Sequence, residues 1–175
     1  DGASTLGLDF KFIKYNDDEG YLYFRFNKED FGWQNSFSLD DEALLAAIPK
    51  IPTNCWTHVA LVKSVTSVIL YVNGEKYYEM TLGDLYYNSP APLNCDISFG
   101  GTPSEDQFFS GRMDEIQFWK TALTPAEIKA WMYREIDSTH KKYKNLVYYN
   151  KLNQESGTTV IDSKGLKGTY NGSIV

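Results

Sequence analysis

The chain has 175 residues, 42% hydrophobic and 23% charged, the balance of one soluble globular domain. Its net charge of −6 argues against a nucleic-acid partner, which needs a basic stripe, and against an anionic membrane surface. No run reaches the ~18 apolar residues of a membrane span, so membrane insertion is not expected.

Thirteen Tyr, ten Phe and four Trp favour strands, and Tyr and Trp are also common contact residues of binding surfaces. From the N-terminus, LGLDFKFIKY (6–15) alternates, with Leu6, Leu8, Phe10 and Phe12 on one face and Asp9 and Lys11 on the other, as in a half-buried strand. NDDEG (16–20) reads as a turn and YLYFRF (21–26) as the returning strand. FGWQNSFSL (31–39) offers a third strand, and DDEALLAAIP a short helical turn stopped by Pro49. WTHVALVK (56–63) is apolar on both faces and is expected to be a central strand. VILYV (68–72) runs back from it. Asn73-Gly74 then marks a type I′ hairpin turn into EKYYEM (75–80), completing a three-stranded meander.

TLGDLYYNSPAPLN (81–94) is an irregular loop. DISFGG (96–101) is a strand, TPSEDQ (102–107) a polar loop and GRMDEIQFW (111–119) another strand. TPAEI (124–128) is a capping box: Thr124 caps, Pro125 takes the first helical position and Glu127 reaches back. Ile128, Trp131 and Met132 then line one face of a short helix docked on the sheet. From residue 145 a tail adds a strand, a turn at Gly157, the strand TTVI and a Gly-rich ending. Trp56, Trp119 and Trp131 are assigned to the core. Cys55 and Cys95 each precede a strand. They pair if those strand starts are neighbours and are otherwise two half-buried free thiols.

Two motifs then point to a family. CWTHVALVKSVTSVILYVNGEKYYEM, followed by ISFGGTPSEDQFFSGRMDEIQFWKTALTPAEI, resembles the laminin-G-like and pentraxin-like jelly rolls of the concanavalin A-like superfamily. The first motif is W-T-H-V-A-L with Y-V-N-G. The second is G-x-x-D-E-I-x-x-W with A-L-T-P-A-E-I. Together they cover roughly residues 55–132, and the tail LVYYNKLNQESGTTVIDSKG is similar to segments of bacterial members. The resemblance implies an all-β fold, a two-sheet antiparallel jelly-roll β-sandwich with one or two short helices. It implies one domain over residues 1–175, with the 145–175 tail completing the sandwich or, alternatively, opening another module. It also implies a secreted or cell-surface setting, a larger multidomain parent, and a glycan or extracellular protein as ligand.

Glycosidases of this superfamily carry an E-x-D-x-x-E arrangement on one strand, which places two carboxylates on one face. Here only MDEIQFW is present. Asp114 and Glu115 are adjacent and point to opposite faces, while Ile116 and Phe118 are apolar. His58 lies within an apolar run and reads as a satisfied core or sheet histidine. His140, in STHKKYK, reads as part of a solvated connector. A non-catalytic binding module is therefore expected.

Asp114 shares the parity of Ile116 and Phe118 and so is expected to point inward. An inward carboxylate must be hydrogen-bonded, paired or metal-bound. Two roles fit: an acceptor for backbone N–H groups near the FGG turn, which we favour, or a calcium ligand. Calcium (Ca2+) takes six to eight oxygens. Glu105, Asp106 and Asp162 are the candidate companions of Asp114, with Asp17, Asp18 and Glu19 as a further acidic turn. For a glycan, the candidate contacts are Trp33, Tyr77, Tyr78, Tyr86, Tyr87 and Asn88, because sugar rings stack on exposed aromatic faces. The plainer reading of Tyr77 and Tyr86 is that they cover the edge of the core. The rival to a glycan module is a structural or protein-interaction domain without a small-ligand site.

Overall fold

A computed structural model describes residues 7–14, 17–28, 32–34, 50–64, 66–81, 99–102, 107–154, 159–165 and 167–169. The chain divides into two compact units, Asp1–Ile97 and Ser98–Val175. Every strand pairing among the described residues is antiparallel, and one short α-helix and one 3-10 turn accompany the strands. The fold is all-β, as expected.

In the first unit, β1 (Gly7–Lys14) pairs along its whole length with β2 (Glu19–Lys28). The register sets Leu8 opposite Phe26, Phe10 opposite Phe24 and Phe12 opposite Leu22, so the two apolar alternations coincide. β2 also pairs near its end with β3 (Gly32–Gln34) and at its start with β4 (Ile51–Pro52). The second sheet is the expected meander of β5 (Val59–Lys63), β6 (Ser67–Val72) and β7 (Glu75–Thr81).

Among the described residues β6, not the 56–63 segment as expected, is the middle strand of this sheet. Val68, Leu70 and Tyr71 are buried, whereas β5 is half-buried from Val59 to Val62. Asn73 and Gly74 take φ of 49° and 77°, the two positive values of the expected turn. Asn73 also closes the sheet: its N–H donates to the His58 carbonyl at 2.9 Å, and its side-chain oxygen accepts the His58 N–H at 2.9 Å.

Trp56 departs from its core assignment and is 65% exposed. Strand alternation holds only inside a ladder, and the ladder begins at Val59. Upstream, Asn54 turns the chain at φ 57°. His58 precedes the strand and is half-buried rather than a core residue, and its Nδ1 has no hydrogen-bond partner. Cys55 is an exposed free thiol, not a half-buried one, and its Sγ donates to the Pro52 carbonyl at 3.4 Å; Cys95 lies outside the described residues.

In the second unit, β8 (Gly101–Thr102) pairs with β9 (Gln107–Phe108), β10 (Ile116–Trp119) with β11 (Leu146–Asn150), and β12 (Thr159–Ile161) with β13 (Lys167–Thr169). The tail thus contributes the partner strand of β10. Helix α1 (Pro125–Trp131) carries the expected capping box: Thr124 Oγ1 accepts the Glu127 N–H at 3.2 Å, and Glu127 Oε2 accepts the Thr124 N–H at 2.8 Å. Lys142 Nζ donates to the same Glu127 oxygen at 2.8 Å. That bond, then the Thr124 backbone N–H, hold the Glu127 carboxyl down at about 2.

The residues around Asp114 correct the expected parity. β10 starts at Ile116, and Glu115 sits in the left-handed region at φ 54°. That residue resets the alternation, so Asp114 is exposed, and its Oδ1 accepts the N–H of Glu115 at 2.9 Å rather than pinning the 99–101 turn. Glu115 is the half-buried carboxylate instead. Its Oε2 accepts the Tyr149 hydroxyl at 2.6 Å, and that hydroxyl oxygen accepts the N–H of Ile136 at 3.3 Å. Burial pushes both the Glu115 carboxyl and the Tyr149 hydroxyl up. Tyr149 packs with Ile136 and Leu146, and half-buried Trp119, Trp131 and Tyr143 surround them.

His140 is a second correction: it is 3% exposed, not part of a solvated connector. Its ring lies 4.6 Å from Trp119 and 4.9 Å from Trp131, centroid to centroid. Nδ1 accepts the Lys142 N–H at 3.1 Å, and Nε2 is buried without a partner. The sequence around it is polar, but the two indoles come from β10 and α1, which local polarity does not reveal.

Two outcomes follow from this core. Tyr149→Phe strips Ile136 of its acceptor and Glu115 of its donor, and urea denaturation should show a loss of about 1–3 kcal/mol; a loss under about 0.5 kcal/mol would show that the hydroxyl is not a structural bond. Burial, the largest influence, lowers the His140 pKa, with Lys142 acting the same way and Glu127 opposing. A depressed histidine disfavours the folded state once the unfolded chain protonates. Stability is therefore full above the unfolded value near 6.5 and falls as pH drops below it, levelling off under the folded value. The fall should be shallower in His140→Phe, measured by denaturation at about pH 7.5 and about pH 5; equal slopes would show that His140 does not carry it.

Candidate functional site

Only some of the sequence candidates fall among the described residues. Tyr86, Tyr87 and Asn88 lie outside the described residues, as do Glu105 and Asp106. Trp33 is the middle residue of β3, paired with Asn27 of β2. Asp162 is buried, and its oxygens serve the local chain: Oδ2 accepts the Tyr149 N–H at 3.2 Å and Oδ1 the Lys164 N–H at 3.0 Å. With Ser163 N–H donating to the Tyr149 carbonyl at 2.8 Å, these bonds fasten the turn after β12 to β11. The carbonyls of Asp17 and Asp18 accept from the Thr53 hydroxyl and Thr53 N–H, both at 2.7 Å. Among the described residues, no three His, Cys, Asp or Glu side chains gather as a metal group.

Strand alternation predicts Tyr77 and Tyr78 on opposite faces, one of them outward. Both are half-buried. The cause is an irregular register: Leu70 pairs with Tyr78, but Tyr71 pairs with Lys76, so Tyr77 is an extra residue in β7. A bulge of this kind breaks strict alternation and re-aims a side chain. Burial pushes the Tyr77 hydroxyl up to about 12, and a hydrogen bond with the Leu22 backbone opposes that rise.

Around Tyr77 the first unit forms a cleft of about 260 Å³, lined by Lys50, Ile51, Pro52, Val72, Asn73, Glu75, Lys76 and Tyr77. Two elements build it: β4, placed by its pairing with the start of β2, and the β6–β7 hairpin. Ile51, Pro52, Val72 and the Tyr77 ring give apolar surface. Lys50, Asn73, Glu75 and Lys76 give donors and acceptors, and Lys76 Nζ donates to Glu79 Oε2 at 3.0 Å. The volume lies below the ~300–1,000 Å³ of sites for drug-sized ligands, so it suits one small ring.

Of the sequence candidates among the described residues, Tyr77 is the one that lines the cleft. Asn73, Glu75 and Lys76 stand beside the hairpin turn, and their local signal is that of the turn alone. Lys50, Ile51 and Pro52 carry no local signal, since their place follows from the long-range pairing of Glu19 with Pro52.

Comparison with known proteins agrees with this architecture. The family model described as the concanavalin A-like lectin/glucanases superfamily matches residues 4–129. No curated protein matches the sequence. Among solved structures, a proposed carbohydrate-binding protein from Bacteroides ovatus superposes with a TM-score of 0.57 at 19% identity, over 98% of this chain and 52% of that one. This chain therefore spans about half the length of that protein. An S-layer domain-containing protein from Clostridium thermocellum gives 18% identity over 73% of this chain and 64% of that one, at a TM-score of 0.32, too low for a shared fold to follow. With a family match over most of its length and antiparallel sheets throughout the described pairings, this chain belongs to the concanavalin A-like lectin/glucanase superfamily.

Proposed function

We propose that this chain is a non-catalytic, extracellular or cell-surface glycan-binding module whose sugar occupies the cleft between β4 and the β6–β7 hairpin. One observation carries the reading: apolar Ile51, Pro52, Val72 and Tyr77 and hydrogen-bonding Lys50, Asn73, Glu75 and Lys76 together line a space sized for one ring. A pyranose has the same division, with C–H faces that pack on apolar surface and hydroxyls that need polar partners. Membership of a lectin-containing superfamily supports it, as does the fold shared with the Bacteroides ovatus protein.

Binding without catalysis fits the state of the carboxylates in the second unit. Glu115 is engaged by Tyr149, and Asp114 bonds the adjacent backbone. The rival role, docking a protein partner, draws on exposed Phe99, Phe109 and Met113 in the second unit.

A glycan array spanning plant, host and bacterial polysaccharides tests the proposal. Binding to at least one class is expected, and Glu75→Ala and Lys76→Ala, both at exposed positions, should each weaken it about tenfold, in line with the loss of a hydrogen bond to a charged group. Silence across the array would sink the glycan reading and leave the protein-docking role.

A further inference from the structure

We propose that Trp56 is a stacking platform for an uncharged sugar ring, a second subsite on the same end of the first unit as the cleft. The inference rests on the glycan reading above and adds a site to it. Trp56 is 65% exposed, the one large hydrophobic side chain so exposed among those residues of its unit whose burial is described. Its neighbours in the chain are polar or small: Thr53, Asn54, Cys55 and Thr57.

The loop that presents it is held at both ends. On one side, Thr53 N–H and Oγ1 each donate at 2.7 Å to the carbonyls of Asp18 and Asp17, and Cys55 Sγ donates to the Pro52 carbonyl at 3.4 Å. On the other, His58 exchanges two 2.9 Å bonds with Asn73. Between them Asn54 holds a positive φ of 57°. A loop that adopts a sparsely populated backbone angle while showing a tryptophan to solvent is spending stability on that presentation.

The same bonds place Trp56 relative to the cleft. Pro52 and Asn73 are both cleft residues, and the Trp56 loop bonds to the first through Cys55 and to the second through His58. A sugar chain with one ring in the cleft would therefore meet the indole as its next polar-flanked apolar surface.

Size decides between a sugar and a protein as occupant. A stable protein interface needs about 1,000 Å² or more of complementary surface. One tryptophan contributes at most about 250 Å². An exposed indole whose chain neighbours are polar or small matches a single ring. The net charge of −6 favours an uncharged sugar over an acidic one.

The test is a titration of wild type, Trp56→Ala and Trp56→Phe with short and long members of three uncharged series: cello-, xylo- and malto-oligosaccharides. For a series that binds, wild type should gain affinity as the chain lengthens. Trp56→Ala should abolish that gain, about tenfold on the long members with little change on the shortest, and Trp56→Phe should retain most of it. The thermal midpoints should agree, because the side chain is exposed. Equal affinities of Trp56→Ala and wild type at every length overturn the platform while leaving the cleft, provided Glu75→Ala or Lys76→Ala weakens binding. Absence of wild-type binding to all three series, with a silent array, overturns both. Self-association lost in Trp56→Ala by sedimentation would replace the sugar with a second copy of the chain and also overturn it.

Discussion

The first unit depends on the way Asn73 closes its meander. A hairpin turn of positive φ returns β7 beside β6, but it leaves the strand on the other side, β5, without a natural end. The Asn73 side chain supplies one by accepting the His58 N–H, while its own N–H reaches back to the His58 carbonyl. One carboxamide thereby fixes the far strand, orients the loop that carries Trp56 and forms part of the cleft wall. Each bond replaces one that water would otherwise make, so its net stabilisation is about 1 kcal/mol. Its larger effect is geometric, because it removes the freedom of a loop that would otherwise fray.

The second unit solves a different problem with the same means. Its core brings polar groups inward: a tyrosine hydroxyl, a carboxylate, an aspartate and an imidazole. The first three are satisfied by hydrogen bonds within the chain. Tyr149 serves both Glu115 and Ile136, and Asp162 serves Tyr149 and Lys164. The imidazole is satisfied on one side only. His140 Nδ1 accepts from Lys142, whereas Nε2 is buried between two indoles without a partner. Such an orphan is the costly end of the hydrogen-bond scale and makes this aromatic box sensitive to protonation.

The class of fold and most of its elements could be read from residue order. The alternations of β1 and β2, the Asn73-Gly74 turn and the Thr124–Glu127 capping box are local patterns, and each is found in place. What escaped reading was set at long range or by a single backbone angle. Trp56 leaves the core because its strand begins three residues later. Asp114 and Glu115 exchange roles because Glu115 adopts positive φ, which no periodicity of side chains records. His140 is buried by indoles from two other elements. Of the proposed ligand contacts, Tyr77 reaches the cleft, and it does so through a bulge invisible in EKYYEM. The remaining wall at Lys50–Pro52 depends on a pairing that spans some thirty residues.

That bulge has a bearing on how such a cleft diversifies. Tyr77 occupies the wall as a supernumerary residue of β7, lying between the Tyr78–Leu70 and Lys76–Tyr71 pairs. Removing that residue would restore regular pairing and take the Tyr77 ring out of the wall, with the pairs on either side undisturbed. A change of length by one residue at this point would thus alter the wall while leaving the sheet in register.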